Sequence, residues 1–492
     1  MNIWAIIAIV ALITATVSIG LYGLRFSRTT SDFFVASRSV KPLANASAIS
    51  GEYISAASFM GVAGLVMVYG IDMLWYPVGY TVGYLVLLIL IAAPLRRSGA
   101  YTLPDFAEAR LESRVVRRIS SVLVVCIGWL YLLPQMQAAG LTLNLLTGAP
   151  IGSGGLVVAL VVGLTVMAGG MRSITLVQSF QYWLKLIAIA TAAVFVAGAW
   201  INAGGPTVST GTWGEPLSGF GGRDFPFYAN VSLVTATFLG TMGLPHVLVR
   251  FYTIRDGRAA RRTTLLVLIL LSLFYLFPPI IGAVGRAMAP DIAHNGNYDS
   301  LVLLLPQRLL PGIAGDLLGA LVAAGAFAAF LSTASGLTLS IAGVLSQDLF
   351  QKRVGSIRGF RMGTAIAVAI PLLLSYFMVR HGLAEMVAMA FAVAASTFCP
   401  LLVLGIWWRG LSVPGAVAGL VVGGVTAIGA VMTDLLWPVT GLLHVLLVQP
   451  AAWSVPLAFA TMVGVSKLTP SRIPPHASVT LGRLHTPDEF VA

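Results

Sequence analysis

The sequence predicts an all-α integral membrane protein with about thirteen transmembrane helices. Three observations predict it. Of 492 residues, 58% are hydrophobic and only 9% charged, whereas about a quarter of a soluble domain is charged. Apolar runs of about 20 residues, enough for about 30 Å of hydrocarbon, recur along the whole length and leave no room for a soluble catalytic domain. Basic residues gather in alternate loops, as the positive-inside rule requires.

In chain order the spans read 3–24, 42–70, 73–95, 115–146, 151–171, 174–200 and 227–250. They continue at 263–288, 313–346, 360–380, 384–408, 412–434 and 439–466. No basic residue precedes the first run, and it is long for a signal peptide, so it is read as a retained span. The chain divides into 1–41 (first helix and loop), 42–200 and 227–408 (two blocks of five helices), 409–466 (two further helices) and a polar tail, 467–492, expected to be disordered.

The net charge of +12 suggests a nucleic-acid partner until the charges are placed. Arg25, Arg28, Arg38 and Lys41 follow the first span, six arginines from Arg96 to Arg118 the third, and Arg172 the fifth. Arg250, Arg255, Arg258, Arg261 and Arg262 follow the seventh, Lys352, Arg353, Arg358 and Arg361 the ninth, and Arg409 the eleventh. The opposite loops hold only Arg223, Arg286, Arg308 and Arg380. The charges therefore orient the chain in the cell membrane, N-terminus outside and C-terminus cytoplasmic, and nucleic acid is excluded as a partner. Cys126 and Cys399 both lie within spans and read as packing residues.

Two spans are interrupted. In "SAISGEYISAASFMG", Gly51 weakens the second span and Ser55 is placed to cap a new half-helix. In "GTMGLPHVLVR", Pro245 removes a backbone donor from the seventh, flanked by Gly240 and Gly243. Lipid cannot satisfy freed backbone groups, so such breaks line a cavity or are covered by protein. Two breaks five helices apart, entering from opposite sides, are what an inverted repeat of five plus five helices produces. Ordinary kinks remain the alternative for each, but an intramembrane acid, Glu52, beside the first break favours a site. In the ninth span, Ser332 and Thr333 are adjacent hydroxyls among small residues that permit close helix approach, although isolated hydroxyls usually bond back to their own helix.

"SDFFVASRSV", "GEYISAASFMG", "YTLPDFAEARL", "GTMGLPHVLVRFYT", "LSTASGLTLS", "SQDLF" and "AFAVAAST" together resemble the sodium:solute symporter family, in particular its branch of acetate and other short-monocarboxylate permeases. The resemblance covers nearly the whole chain. It implies a LeuT-type 5+5 inverted repeat with one extra helix before the core and two after it. It also implies sodium as the coupling ion, with no other cofactor or metal, held by the carbonyls of Gly51, Ile54 and Ala329 and the hydroxyls of Ser332 and Thr333. Where many members carry an aspartate in the sixth span, "TLVQSFQYWLK" offers Gln178, with Lys185 two turns on.

At about 1.5 Å per residue, Lys185 lies about 17 Å and Glu52 about 15 Å from the cytoplasmic ends of their helices, so the two could pair. Snorkelling of Lys185, or a coupling role in which it binds and releases a proton, are the alternatives. Polar candidates for holding a small organic-acid anion between the breaks are Tyr53, Ser55, Gln135, Thr241, His246 and Thr397. Gln135 and Thr397 could equally bond neighbouring helices, and His246 could simply pack at the break.

The expected function is sodium-coupled symport of an acetate-, propionate- or pyruvate-type monocarboxylate. The alternatives are proton-coupled uptake, or sodium symport of another small solute such as an amino acid. An enzyme or sensor is disfavoured, because the sequence carries no HExxH pair, no phosphate-binding P-loop and no appended signalling domain.

Overall fold

The computed structural model describes residues 2–23, 40–208, 211–294, 298–350, 356–377, 382–437 and 439–486. Arg25, Arg28, Arg38, Lys352, Arg353 and Arg380 lie outside them, as do residues 487–492. Among the described residues, eleven helical stretches are long and apolar enough to cross a membrane. Two of these each hold more than one expected span: Ala57–Leu90 takes in the end of the second and the third, and Gly152–Asn202 the fifth and sixth. The latter folds back at Gly170, whose φ of 57° and ψ of −163° suit a residue without a Cβ.

The helix Ile313–Leu345 runs through the centre and packs on Gly152–Asn202 and Arg114–Thr147. Its alanines and glycines bring neighbouring backbones close. Pro42–Tyr53 packs on Gly152–Asn202 and on Gly257–Tyr275, while Pro226–Gly243 packs on Leu383–Trp407 and on Trp75–Leu90. The two interrupted helices are thus held by different neighbours around one buried core.

On the arginine-rich face, the short helix Leu103–Leu111 starts with a capping box between Thr102 and Asp105. Arg117 binds Asp105 (2.8 Å), Glu108 (2.6 Å) and Asp348 (2.6 Å), and so ties "YTLPDFAEARL" to the "SQDLF" end of the ninth span. The tail corrects an expectation of disorder. Ala477–His485 is helical, with Ala477 and Leu484 buried. Arg97 donates to the Leu484 carbonyl (3.3 Å), and His485 Nε2 lies 2.9 Å from the Ile406 carbonyl. The tail's polar average hides an apolar side that finds a docking surface.

Candidate cation and solute site

The first interruption lies at Ile54, where ψ of 91° takes the chain out of helix after Tyr53; helix resumes from Ala56. Gly51 lets this segment lie against the sixth span, since a Cβ there would strike the Gln178 carbonyl. Gly336 likewise leaves room for the Glu52 carboxylate. Ser55 sits at the interruption, buried, but the side chain that receives the new half-helix is Gln135: its Oε1 accepts from the Ala56 N–H (3.0 Å) and its Nε2 donates to the Tyr131 carbonyl (3.3 Å). The side-chain cap expected of Ser55 is therefore supplied by a residue of the fourth span, which can reach the break from outside.

The expected pairing of Glu52 with Lys185 gives way to two separate arrangements. Arg250, read from sequence as a loop residue, is fully buried, and its Nε donates to Glu52 Oε2 (2.8 Å). Its Nη1 donates to Thr175 (2.8 Å) and its Nη2 to Gln178 Oε1. Glu52 takes the guanidinium because Arg250 offers several directed donors and reaches it from the short helical turn after the second break. Gln178 passes the network on, its Nε2 donating to the Ser332 carbonyl (2.8 Å).

Lys185 turns instead to the oxygens expected around sodium. Its Nζ donates to the Gly51 carbonyl, to the Ile54 carbonyl (2.9 Å) and to Ser332 Oγ (2.8 Å). The Ser332 hydroxyl lies 2.7 Å from the Gly51 carbonyl and 3.1 Å from that of Ala329. Gly51, Ile54, Ala329 and Ser332 are therefore brought together. Thr333 stands one step aside, its hydroxyl donating to the Glu52 carbonyl (2.6 Å).

The second interruption lies at Leu244 (ψ 114°), between the helices Pro226–Gly243 and Pro245–Val249. Gly240 and Gly243 allow it to lie on the Phe391 and Ala394 carbonyls of the eleventh span. Between the breaks, Tyr53 packs edge-on to Tyr84 (centroids 4.8 Å apart) and to Tyr80 (5.9 Å), and Phe391 closes on Tyr80 (5.1 Å). Thr241 donates to the Thr237 carbonyl (2.7 Å), which leaves its oxygen to accept from Tyr53 (2.7 Å) and joins the two interrupted helices. His246 meets the Tyr131 ring at 5.3 Å. Among the described residues, neither His246 nitrogen nor the Tyr80 and Tyr84 hydroxyls has a hydrogen-bond partner, although all are buried.

Thr397 does not join this group. Its hydroxyl donates to the Val393 carbonyl of its own helix (2.7 Å) and its methyl faces Gly424 of the twelfth span. That is the usual resting place of a threonine in a membrane helix. Sequence reading missed Arg250, Tyr80, Tyr84 and Tyr131. The tyrosines were signalled by "YPVGYTVGY", where Tyr76, Tyr80 and Tyr84 recur every fourth residue on one helix face. Arg250 carried no such signal, because it directly ends an apolar run.

A cavity of about 210 Å³ on the face away from the arginine-rich loops is lined by Tyr69, Tyr76, Arg223, Glu385 and His444 among others. The ring of Tyr76, which lines this cavity, lies 6.0 Å from that of Tyr80 in the aromatic cluster.

The fold matches known transporters. A structure of a Na+-coupled sialic acid symporter, substrate-bound and outward-open, superposes with a TM-score of 0.71 over 95% of this chain and 97% of that one, at 14% identity. A nucleobase-cation-symport-1 family transporter in a closed conformation superposes at 0.59 over 93% and 99%, at 16% identity. MhsT in complex with L-phenylalanine does so at 0.53 over 85% and 98%, at 15% identity. These likenesses show the LeuT-type helical fold. In sequence, the chain is 31% identical over 485 residues to YwcA, an uncharacterized symporter of Bacillus subtilis (strain 168), covering 93% of each. Residues 33–423 match the sodium:solute symporter family. The chain belongs to that family and is a multi-pass transporter, not an enzyme, that couples a solute to sodium.

Proposed function

We propose that the solute is a short monocarboxylate of the acetate, propionate or pyruvate type, carried with sodium across the cytoplasmic membrane. The observation that carries this reading is the contrast between packed rings and a few unpartnered buried polar atoms between the breaks. In this reading the unpartnered atoms of Tyr80, Tyr84 and His246 are the candidates for holding the carboxylate, while Tyr53 and Phe391 cover an alkyl tail. The nearby guanidinium, Arg250, is committed to Glu52, so a second carboxylate would have no cation to pair with there.

In this reading sodium uses Gly51, Ile54, Ala329 and Ser332, with Thr333 completing the set, and the arginine-rich loops face the cytoplasm together with the C-terminal tail. The test is uptake of labelled acetate into proteoliposomes under an inward sodium gradient, with competing solutes. Propionate and pyruvate should compete within a few-fold of unlabelled acetate, and succinate and proline should not. Proline-driven or succinate-driven displacement equal to that of propionate would contradict the solute assignment.

A further inference from the structure

Lys185 is a fully buried amine outside the aromatic cluster, and it lies among oxygens that the sodium assignment needs. Three donors of an ammonium meet three acceptors: the Gly51 carbonyl, the Ile54 carbonyl at 2.9 Å and the Ser332 hydroxyl at 2.8 Å. We propose that the Lys185 ammonium is a tethered occupant of the cation position, so that sodium binds there only when this side chain withdraws, and that Lys185 thereby sets the cation affinity of the transporter.

Two further observations carry the proposal. Glu52 gives its close contact to Arg250, so the hydrogen bonds of the Lys185 amine go to the carbonyls of the break and to Ser332. A sodium ion arriving beside the ammonium would compete for the same oxygens and meet a like charge in a site of low dielectric, where like charges repel strongly. Space points the same way. Gly51 already abuts the Gln178 carbonyl and Gly325 the Ala188 side chain, so the helices carrying Lys185, the break and the ninth span are in backbone-level contact. One cation, tethered or free, fits the shared oxygens.

A lysine that served only as a strut for the broken helix would have the same hydrogen bonds, but its removal would not improve sodium binding. The inference rests on the sodium ligands proposed above and not on the solute. The full chain in nanodiscs, without solute, is titrated with radioactive sodium, and its melting is followed in sodium against choline chloride. Lys185→Ala should half-saturate at no more than a tenth of the sodium the wild type needs, and should gain the larger sodium-dependent rise in melting temperature. Lys185→Arg, which keeps a cation, should show no gain, and Ser332→Ala added to Lys185→Ala should abolish it.

If Lys185→Ala does not fold, Lys185→Gln decides by the same titration, since it keeps a donor for the carbonyls but loses the charge. Sodium binding by the neutral variant no tighter than wild type, or a gain that survives Ser332→Ala, overturns the proposal. Failure of acetate uptake would count against the proposed solute and leave this ranking unaffected.

Discussion

The two interrupted helices solve the same problem in opposite ways. At Ile54 the freed carbonyls of Gly51 and Ile54 are met by the Lys185 ammonium, and the Ala56 N–H that opens the next half-helix is met by Gln135. At Leu244 the chain is closed by glycine-backed packing on Phe391 and Ala394, while His246 keeps two unpartnered nitrogens beside Tyr131. In the proposed reading, the break whose groups are met by an amine takes the cation, and the break with idle polar atoms among rings takes the solute.

The sharpest way to break this contrast is to attack the ion pair that bridges the two halves. Arg250→Met leaves the Glu52 carboxylate buried without its partner, which costs about 3–5 kcal/mol. Melting followed by size-exclusion chromatography should show a large loss of folded protein, and Glu52→Gln added to Arg250→Met should recover part of it. Equal destabilisation by the single and double variants would mean that the pair does not hold the halves together.

Ser332→Ala comes next. It removes an oxygen shared by Lys185 and the proposed sodium site, at about 1.4–3 kcal/mol, so half-maximal uptake should need roughly ten- to hundredfold more sodium. Thr333→Ala should raise the requirement less, because its hydroxyl is spent on the Glu52 carbonyl. A sodium titration of uptake ranks the two, and the reverse order would move the cation toward Thr333.

On the solute side, Tyr84→Phe removes a hydroxyl that bonds nothing in the resting chain, so folding should be unaffected. Solute affinity should weaken by about 0.5–1.5 kcal/mol, up to roughly tenfold in KM, if that hydroxyl meets the carboxylate. An unchanged KM would remove Tyr84 from the site.

The smallest effect concerns pH and the turn at Tyr298–Ser300, before the ninth span. Burial, with Glu385 nearby, pushes the Asp299 carboxyl up to about 7, although it accepts from the Leu383 N–H (3.0 Å). A carboxyl raised in the folded state holds its proton more tightly than in the unfolded chain. Its contribution to stability is therefore complete below about pH 4 and declines as pH rises toward about 7. Asp299→Asn keeps an acceptor for Leu383 and should flatten that part of the melting profile. An unaltered profile would show that Asp299 ionises without cost.

Much of this was legible in the sequence, because the signals were local. Span lengths, the alternation of basic loops and the proline and glycine at the breaks are each written in a few neighbouring residues. Gly51, Ile54, Ala329 and Ser332 could be assembled by resemblance. What was not legible depended on directions across helices. Charge and depth alone made Lys185 a partner for Glu52, but the opposite end of the same network, Arg250, sat at the edge of an apolar run and passed for a loop residue. Thr397 could equally line the site or bond a neighbouring helix, and which it does depends on its direction: its hydroxyl back-bonds to Val393. The tail's helix depends on an apolar side that composition averages away.

The central claim is that the break at Ile54 and the break at Leu244 are the cation and solute halves of one coupled site. Its most direct test is reciprocity in the wild-type chain, with the half-saturating sodium concentration measured with and without saturating acetate, and that of acetate with and without saturating sodium. Because coupling is a shared free energy, each ligand should tighten the other by the same factor, expected between about 5-fold and 150-fold. Sodium binding indifferent to acetate, together with acetate accumulation driven by a pH gradient in the absence of sodium, would contradict the account.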